Sequence, residues 1–162
     1  MLSEKIENAL NKQIHEELHA AYTYLGMSAY LETANLPGMS RWLRHQAQEE
    51  TDHAMRLWKH NLQSQGRVHL TTLEAPCGEW DSPRAVFDDV LTHEEQESDW
   101  IHTLVDLAVA EHDYATGNVL QGLVREQVKQ MADARRIVGM LEMIGDSGPG
   151  LFMLDRELGQ RA

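Results

Sequence analysis

Four polar side chains stand out because each lies in the middle of an apolar helical stripe. Projected at about 100° per residue, Glu17 shares a face with Ile6, Leu10, Ala21, Tyr24 and Leu31. Glu50 falls among Leu43, Ala47, Ala54 and Leu57, and Glu94 among Phe87, Val90, Ile101, Val105 and Ala108. Gln127 falls among Leu120, Leu123, Met131, Ala134 and Val138. A carboxylate alone in a low-dielectric core costs several kcal/mol and shifts toward protonation. One such residue is explained by a charge reaching out at the edge of a bundle. Four together are explained by cations lying among them, which removes the desolvation penalty and gives a reason for all four to point inward.

The spacing sharpens this. Glu17 and Glu50 lie 33 residues apart, and so do Glu94 and Gln127, which sets the polar groups at matching heights in two related halves. His53 follows Glu50 by one helical turn, so Glu50-x-x-His53 can hold one metal with both side chains. The matching pair in the second half is Gln127-x-x-Gln130, symmetric in position but not in chemistry. Nine histidines, a single cysteine (Cys77) and no Cys-x-x-Cys leave nitrogen and oxygen as the ligand atoms.

These groups have to be carried by long helices, and helical periodicity dominates the chain with almost no strand signal. The first helix is predicted to begin after Ser3 and run to about Thr33, before a turn at Asn35-Leu36-Pro37-Gly38. The second runs from about Ser40 to Gln65, with Gly66 as its stop. Arg67 to Ser82 has no period and contains Pro76 and Gly78, so it is a long crossover. Ser82-Pro83 opens the third helix, which runs to about Glu111, and Asp113 caps the fourth, which ends at Ile144 before Gly145. A short fifth helix over about 148–158 carries Leu151, Phe152, Leu154 and Leu158, an apolar set suited to a contact outside the bundle. The expected fold is all-α: one domain over 1–162, an antiparallel four-helix bundle over about 4–144 with one long crossover between the second and third helices, then the fifth helix. That crossover makes the second and third helices parallel.

Composition bounds the function classes. The 162 residues suit a single core, and the mean hydropathy of -0.48 with 25% charged residues is that of a soluble chain. No apolar run approaches the roughly 18 residues of a membrane span. The first residues lack the basic and apolar stretches of a signal peptide, and a lone cysteine fits a cytoplasmic location. A net charge of -12 argues against nucleic acid as a partner.

With these residues in view, the chain resembles the non-haem bacterial ferritins over essentially its whole length. The carrying segments are Gln48-Glu49-Glu50-Thr51-Asp52-His53, Glu17 with Tyr24, Glu94, Arg125-Glu126-Gln127, and Gly148 to Phe152 through Asp155 to Leu158. The same ligand pattern is a known example of a di-iron carboxylate bundle. The resemblance implies that Glu17, Glu50 and His53 form a first iron site, with Glu50 bridging to a second iron held by Glu94 with Gln127 close by. It implies that Tyr24 hydrogen-bonds near the site and can donate an electron; an aromatic filling the core is the other reading. Many bacterial relatives build a third site from acidic residues at the positions of Lys129 and Gln130 together with Glu49 and Glu126. Here Lys129 and Gln130 weaken that site, and Glu49 and Glu126 become ordinary acids. No haem is expected: bacterioferritin would need a second Glu-x-x-His and a methionine where Thr51 stands.

The implied function is iron storage. A ferroxidase oxidises Fe(II) at the di-iron centre with O2 or H2O2 and keeps the product as a ferric mineral in a homo-oligomeric shell of twenty-four subunits. Glu111, His112 and Asp113 could line a channel for iron in such a shell, or simply cap a helix. A non-storage di-iron oxidase or peroxide scavenger on the same bundle is the alternative. A bundle without redox activity leaves the inward polar groups unexplained. Trp42, Trp58, Trp80 and Trp100 are expected in packing roles.

Overall fold

The computed structural model describes residues 1–161, and five helices form most of that backbone. They are α1 (Glu4–Thr33), α2 (Pro37–Gln63), α3 (Pro83–Ala110), α4 (Tyr114–Ile144) and α5 (Gly148–Gly159). Four of them start on a local cap. Ser3 accepts from Ile6 N, Ser82 from Ala85 N, Asp113 from Thr116 N and Ser147 from Gly150 N, each satisfying an amide that the first turn leaves unpaired.

The second helix is the exception. It begins at Pro37 rather than near Ser40, because proline at the first helical position gives up an amide that had no partner there. Leu36 offers no side-chain cap; Met39 N donates instead to Asp155 Oδ1 of α5 at 2.8 Å. At its other end the left-handed residue is Gln65 (φ 66°), not Gly66. At Gly66 a Cβ would come within 2.0 Å of Asn61 Oδ1, so a larger residue there would have to displace that side chain.

Hydrogen bonds fix the topology. Ser28 of α1 bonds Ser40 of α2, and Asn11 of α1 bonds Arg67 just past α2, so these helices are antiparallel. Lys5 at the start of α1 meets Glu111 at the end of α3, so α1 and α3 are antiparallel too. The second and third helices are therefore parallel, as the long connection predicts. That connection climbs along α1. Asn11 holds the His69 amide, His15 meets Thr71, Pro76 lies against Gly26, and Trp80 packs on Tyr30.

The core is interrupted midway. One apolar cluster joins Ile6, Leu10, Ile14, Leu57, Ile101, Leu120 and Leu123 at one end. The other joins Tyr24, Leu31, Met39, Leu43, Phe87, Val90 and Ile137. In the fourth helix Ile137 and Leu141 carry the fully buried face beyond Ala134, while Met131 and Val138 are only partly covered. Between the two clusters lies a layer of buried polar groups. Trp42 is buried against Phe87, and Trp58, Trp80 and Trp100 are partly buried, so all four take part in packing. Only half of α5 faces outward as expected. Leu154 and Leu158 are buried against the end of the bundle, while Phe152 and Met153 remain exposed. Among the described residues no helix is long and apolar enough to cross a membrane.

Candidate metal centre

Two buried acids of the polar layer, Glu17 and Glu50, are each anchored through one oxygen. Gln13 Nε2 donates to Glu17 Oε1 at 3.0 Å, and Gln130 Nε2 donates to Glu50 Oε1 at 2.8 Å. Among the described residues that leaves Glu17 Oε2 and Glu50 Oε2 buried without a hydrogen-bond partner. His53 is held in the same way, with Nε2 2.8 Å from Glu126 Oε2 and Nδ1 unpaired. Both free carboxylate oxygens lie 3.5 Å from that Nδ1. A fourth donor joins them from α3: Glu97, 1% exposed, with neither oxygen hydrogen-bonded. Glu17, Glu50, His53 and Glu97 each present an atom within 4.8 Å of the others.

These separations are too long for hydrogen bonds. They match the edge of about 3.4 Å between two ligands on one cation when each bond is about 2.1 Å long. Three carboxylates and one imidazole form a nitrogen-and-oxygen set suited to a first-row divalent cation.

The electrostatics show the cost of this cluster without a cation. Burial raises Glu50 far above the usual carboxylate range, and the charges of Glu97, Glu17 and Glu94 push it further. Burial also raises Glu94 and Glu97, each to about 7, with repulsion from Glu97 and Glu17 respectively adding to it. In His53 burial favours the neutral ring, but the negative Glu17 carboxylate 3.5 Å away outweighs it and lifts the ring to about 9. Burial opposes ionisation of Glu17, yet the attraction of the neighbouring His53 ring brings it below the ordinary value. Protons do here what a divalent ion would do more completely.

The chain matches the family model for the ferritin-like domain over residues 7–144. It belongs to the ferritin family. It is similar to a bacterial non-heme ferritin of Bacteroides fragilis, 38% identical over 161 residues, covering 99% of this chain and 100% of the relative. It is also similar to one of Campylobacter jejuni, 35% identical, covering 96% of this chain and 93% of the relative. Its fold superimposes on a novel open pore ferritin from the hyperthermophilic archaeon Archaeoglobus fulgidus with a TM-score of 0.98 at 44% identity, covering 100% of both chains.

Within this ferritin the residues picked out from the sequence all reach the polar layer, but not one common point. Glu17, Glu50 and His53 converge. Glu94 lies beside them with both oxygens occupied: the Tyr24 hydroxyl donates to Oε1 at 2.5 Å, and Gln127 Nε2 donates to Oε2 at 2.9 Å. Tyr24 is thus a buried aromatic whose hydroxyl is tied to the site; burial, then the charge of Glu94, hold its own ionisation well above the usual value.

Glu97 was missed by reasoning from sequence. Its signal was present, since Glu94-x-x-Glu97 repeats the three-residue step of Glu50-x-x-His53 on the same kind of stripe.

Glu49 and Glu126 are each paired with an arginine while remaining partly exposed. Arg161 Nη2 lies 2.9 Å from Glu49 Oε1, with its guanidinium stacked over Trp42. Both terminal nitrogens of Arg56 bond Glu126, which also holds His53. Lys129 is exposed. Asp113 serves as a cap for α4, and Glu111 pairs with Lys5.

Proposed function

We propose that this ferritin oxidises Fe(II) to Fe(III) at a di-iron centre inside each subunit and stores the product as a ferric mineral within a multisubunit shell. Iron is written here as substrate. Oxidation takes one electron from each of two Fe(II) ions and passes both to O2 or H2O2, with two protons completing H2O2 or two waters respectively. The observation that carries the reading is the set of unpaired buried atoms on Glu17, Glu50, His53 and Glu97, all turned toward one point.

In this reading Glu17, Glu50 and His53 hold the first ion, and Glu50 bridges toward the second, which Glu94 binds with Gln127 at its side. Anionic oxygen donors favour the ferric state and so help the electrons leave. In this reading Tyr24, hydrogen-bonded to Glu94, would give one further electron to the oxidant while its proton passes to the Glu94 carboxylate. The arginines on Glu49 and Glu126 oppose a third iron there, since each acid already has a cation. No haem is proposed. A homo-oligomer of twenty-four subunits in the cytoplasm is the proposed assembly. Phe152 and Met153 on α5 and Tyr22 and Leu25 on α1 are exposed apolar surface that such contacts would cover.

Stopped-flow absorbance after adding about two Fe(II) per subunit tests the site. A fast phase saturating at two irons is expected, and Glu50→Ala should remove it. Size-exclusion chromatography tests storage, since a monomer or dimer would overturn it. The alternative, a di-iron oxidase or peroxide scavenger that keeps its iron, gains support from Glu97, which makes the ligand set richer. Iron that stays at about two per subunit after repeated turnover would favour that alternative.

A further inference from the structure

We propose that Glu97 and His93 form a second cation-binding arm on the seam between α1 and α3. Glu97 bridges, giving one oxygen to the ion at Glu17, Glu50 and His53 and the other to an ion that His93 Nε2 also binds. The inference rests on the di-iron reading above and adds a ligand pair to it.

The two oxygens of Glu97 face two different imidazoles. Oε1 lies 4.0 Å from His53 Nδ1, and Oε2 lies 3.5 Å from His93 Nε2. Neither oxygen has a hydrogen-bond partner among the described residues, and Glu97 is 1% exposed. His93 Nε2 is likewise buried and unpartnered. If the pair were a simple ion pair, it would close to the usual charge-assisted distance of about 2.8 Å. The 3.5 Å found instead fits two ligands on one cation, whose separation is about 3.4 Å for bonds of about 2.1 Å.

The helix and its neighbours hold the arm in place. His93 and Glu97 are one turn apart on α3 and so share a face. The His93 ring stands edge-on to Tyr24 at 5.4 Å and to Trp100 at 6.5 Å, which fixes its plane. Recruiting Glu94 to a second ion requires loosening its bonds from Tyr24 and Gln127. Recruiting Glu97 and His93 requires breaking none. One imidazole nitrogen and one carboxylate oxygen, with water completing the shell, suit a first-row divalent ion.

The test is an anaerobic Co(II) titration of the assembled full-length protein by calorimetry and visible absorbance, with size exclusion and circular dichroism confirming the fold. His93→Gln is expected to bind one Co(II) fewer per subunit while the tightest ion stays unchanged. Glu97→Gln is expected to lose the same ion and to weaken the tightest one by roughly tenfold or more. Unchanged stoichiometry and affinity in His93→Gln would overturn the arm. Should that variant not fold, an anomalous-scattering map of Co(II)-soaked wild-type crystals decides. A peak between Glu97 and His93 supports the arm, and its absence overturns it. Glu50→Ala separates the two readings: if it loses Co(II) while His93→Gln does not, only the arm fails. If Glu50→Ala keeps every ion, the di-iron reading fails first.

Discussion

His53 Nε2 of α2 lies 2.8 Å from the Glu126 carboxylate of α4, although the residues are 73 positions apart. In the neutral ring that would bind a cation, Nε2–H donates to Glu126 and the Nδ1 lone pair faces the free oxygens of Glu17 and Glu50. Glu126 is thus a positioning residue, and Arg56 keeps its carboxyl below the usual range. Glu126→Ala is expected to weaken Co(II) binding at the first position about 10- to 100-fold. Calorimetric titration checks this, and Glu126→Gln should recover part of the affinity through its amide oxygen. Equal affinity in all three proteins would remove the orienting role.

Tyr24→Phe deletes only the hydroxyl that Glu94 accepts from. The apolar contacts of the ring remain, so the metal-free protein should lose about 1 to 2 kcal/mol, the scale of a hydrogen bond to an acid. Oxidation should slow while two irons per subunit are still consumed. Denaturant melts and stopped-flow kinetics on the same preparation read both effects.

The junction of α2 and α5 should be sensitive to single atoms. A Cβ on Gly38 would fall 1.8 Å from the Asp155 carbonyl oxygen, a contact that backbone cannot accommodate. Gly38→Ala is expected to lift α5 off the bundle and expose Leu154 and Leu158. Limited proteolysis near residues 145–150, together with a change in assembly size, would report it. Asp155→Ala removes the cap on Met39 N and should cost about 1 kcal/mol. A melt identical to wild type would mean that the bond contributes nothing.

His60 offers a pH test away from the metal cluster. Its Nε2 meets Thr116 Oγ1 at 2.8 Å, and that hydroxyl donates to Asp113. Burial holds the ring below its ordinary value, with the Asp113 charge opposing only in part. The unfolded chain therefore takes up this proton more readily. The stability is fully present above about pH 6.5 and is lost as pH falls through the folded value. His60→Gln should flatten the fall in unfolding free energy between about pH 7 and 5 relative to wild type. A parallel profile for the two proteins would argue against it.

Much of the architecture was legible because its causes are local. Ser3, Ser82 and Asp113 cap helices within their own first turns, so each start could be read from neighbouring residues. The inward placement of Glu17, Glu50, Glu94 and Gln127 followed from helical period alone, and all four are buried. What failed was non-local. The second helix has no side-chain cap from its own N-terminus because Met39 N is satisfied by Asp155, 116 positions away. Glu49 and Glu126 looked free because their partners Arg161 and Arg56 are distant along the chain.

By itself, then, the sequence determined which side chains reach the middle of the bundle, since a helix converts spacing into direction at 100° per residue. Only the tertiary structure decided which oxygen of each acid is tied and which is free. Gln13 and Gln130 anchor one side of Glu17 and Glu50, Tyr24 and Gln127 take both sides of Glu94, and nothing takes either side of Glu97. That assignment depends on contacts between helices over a few ångströms, and no periodicity within one helix encodes it.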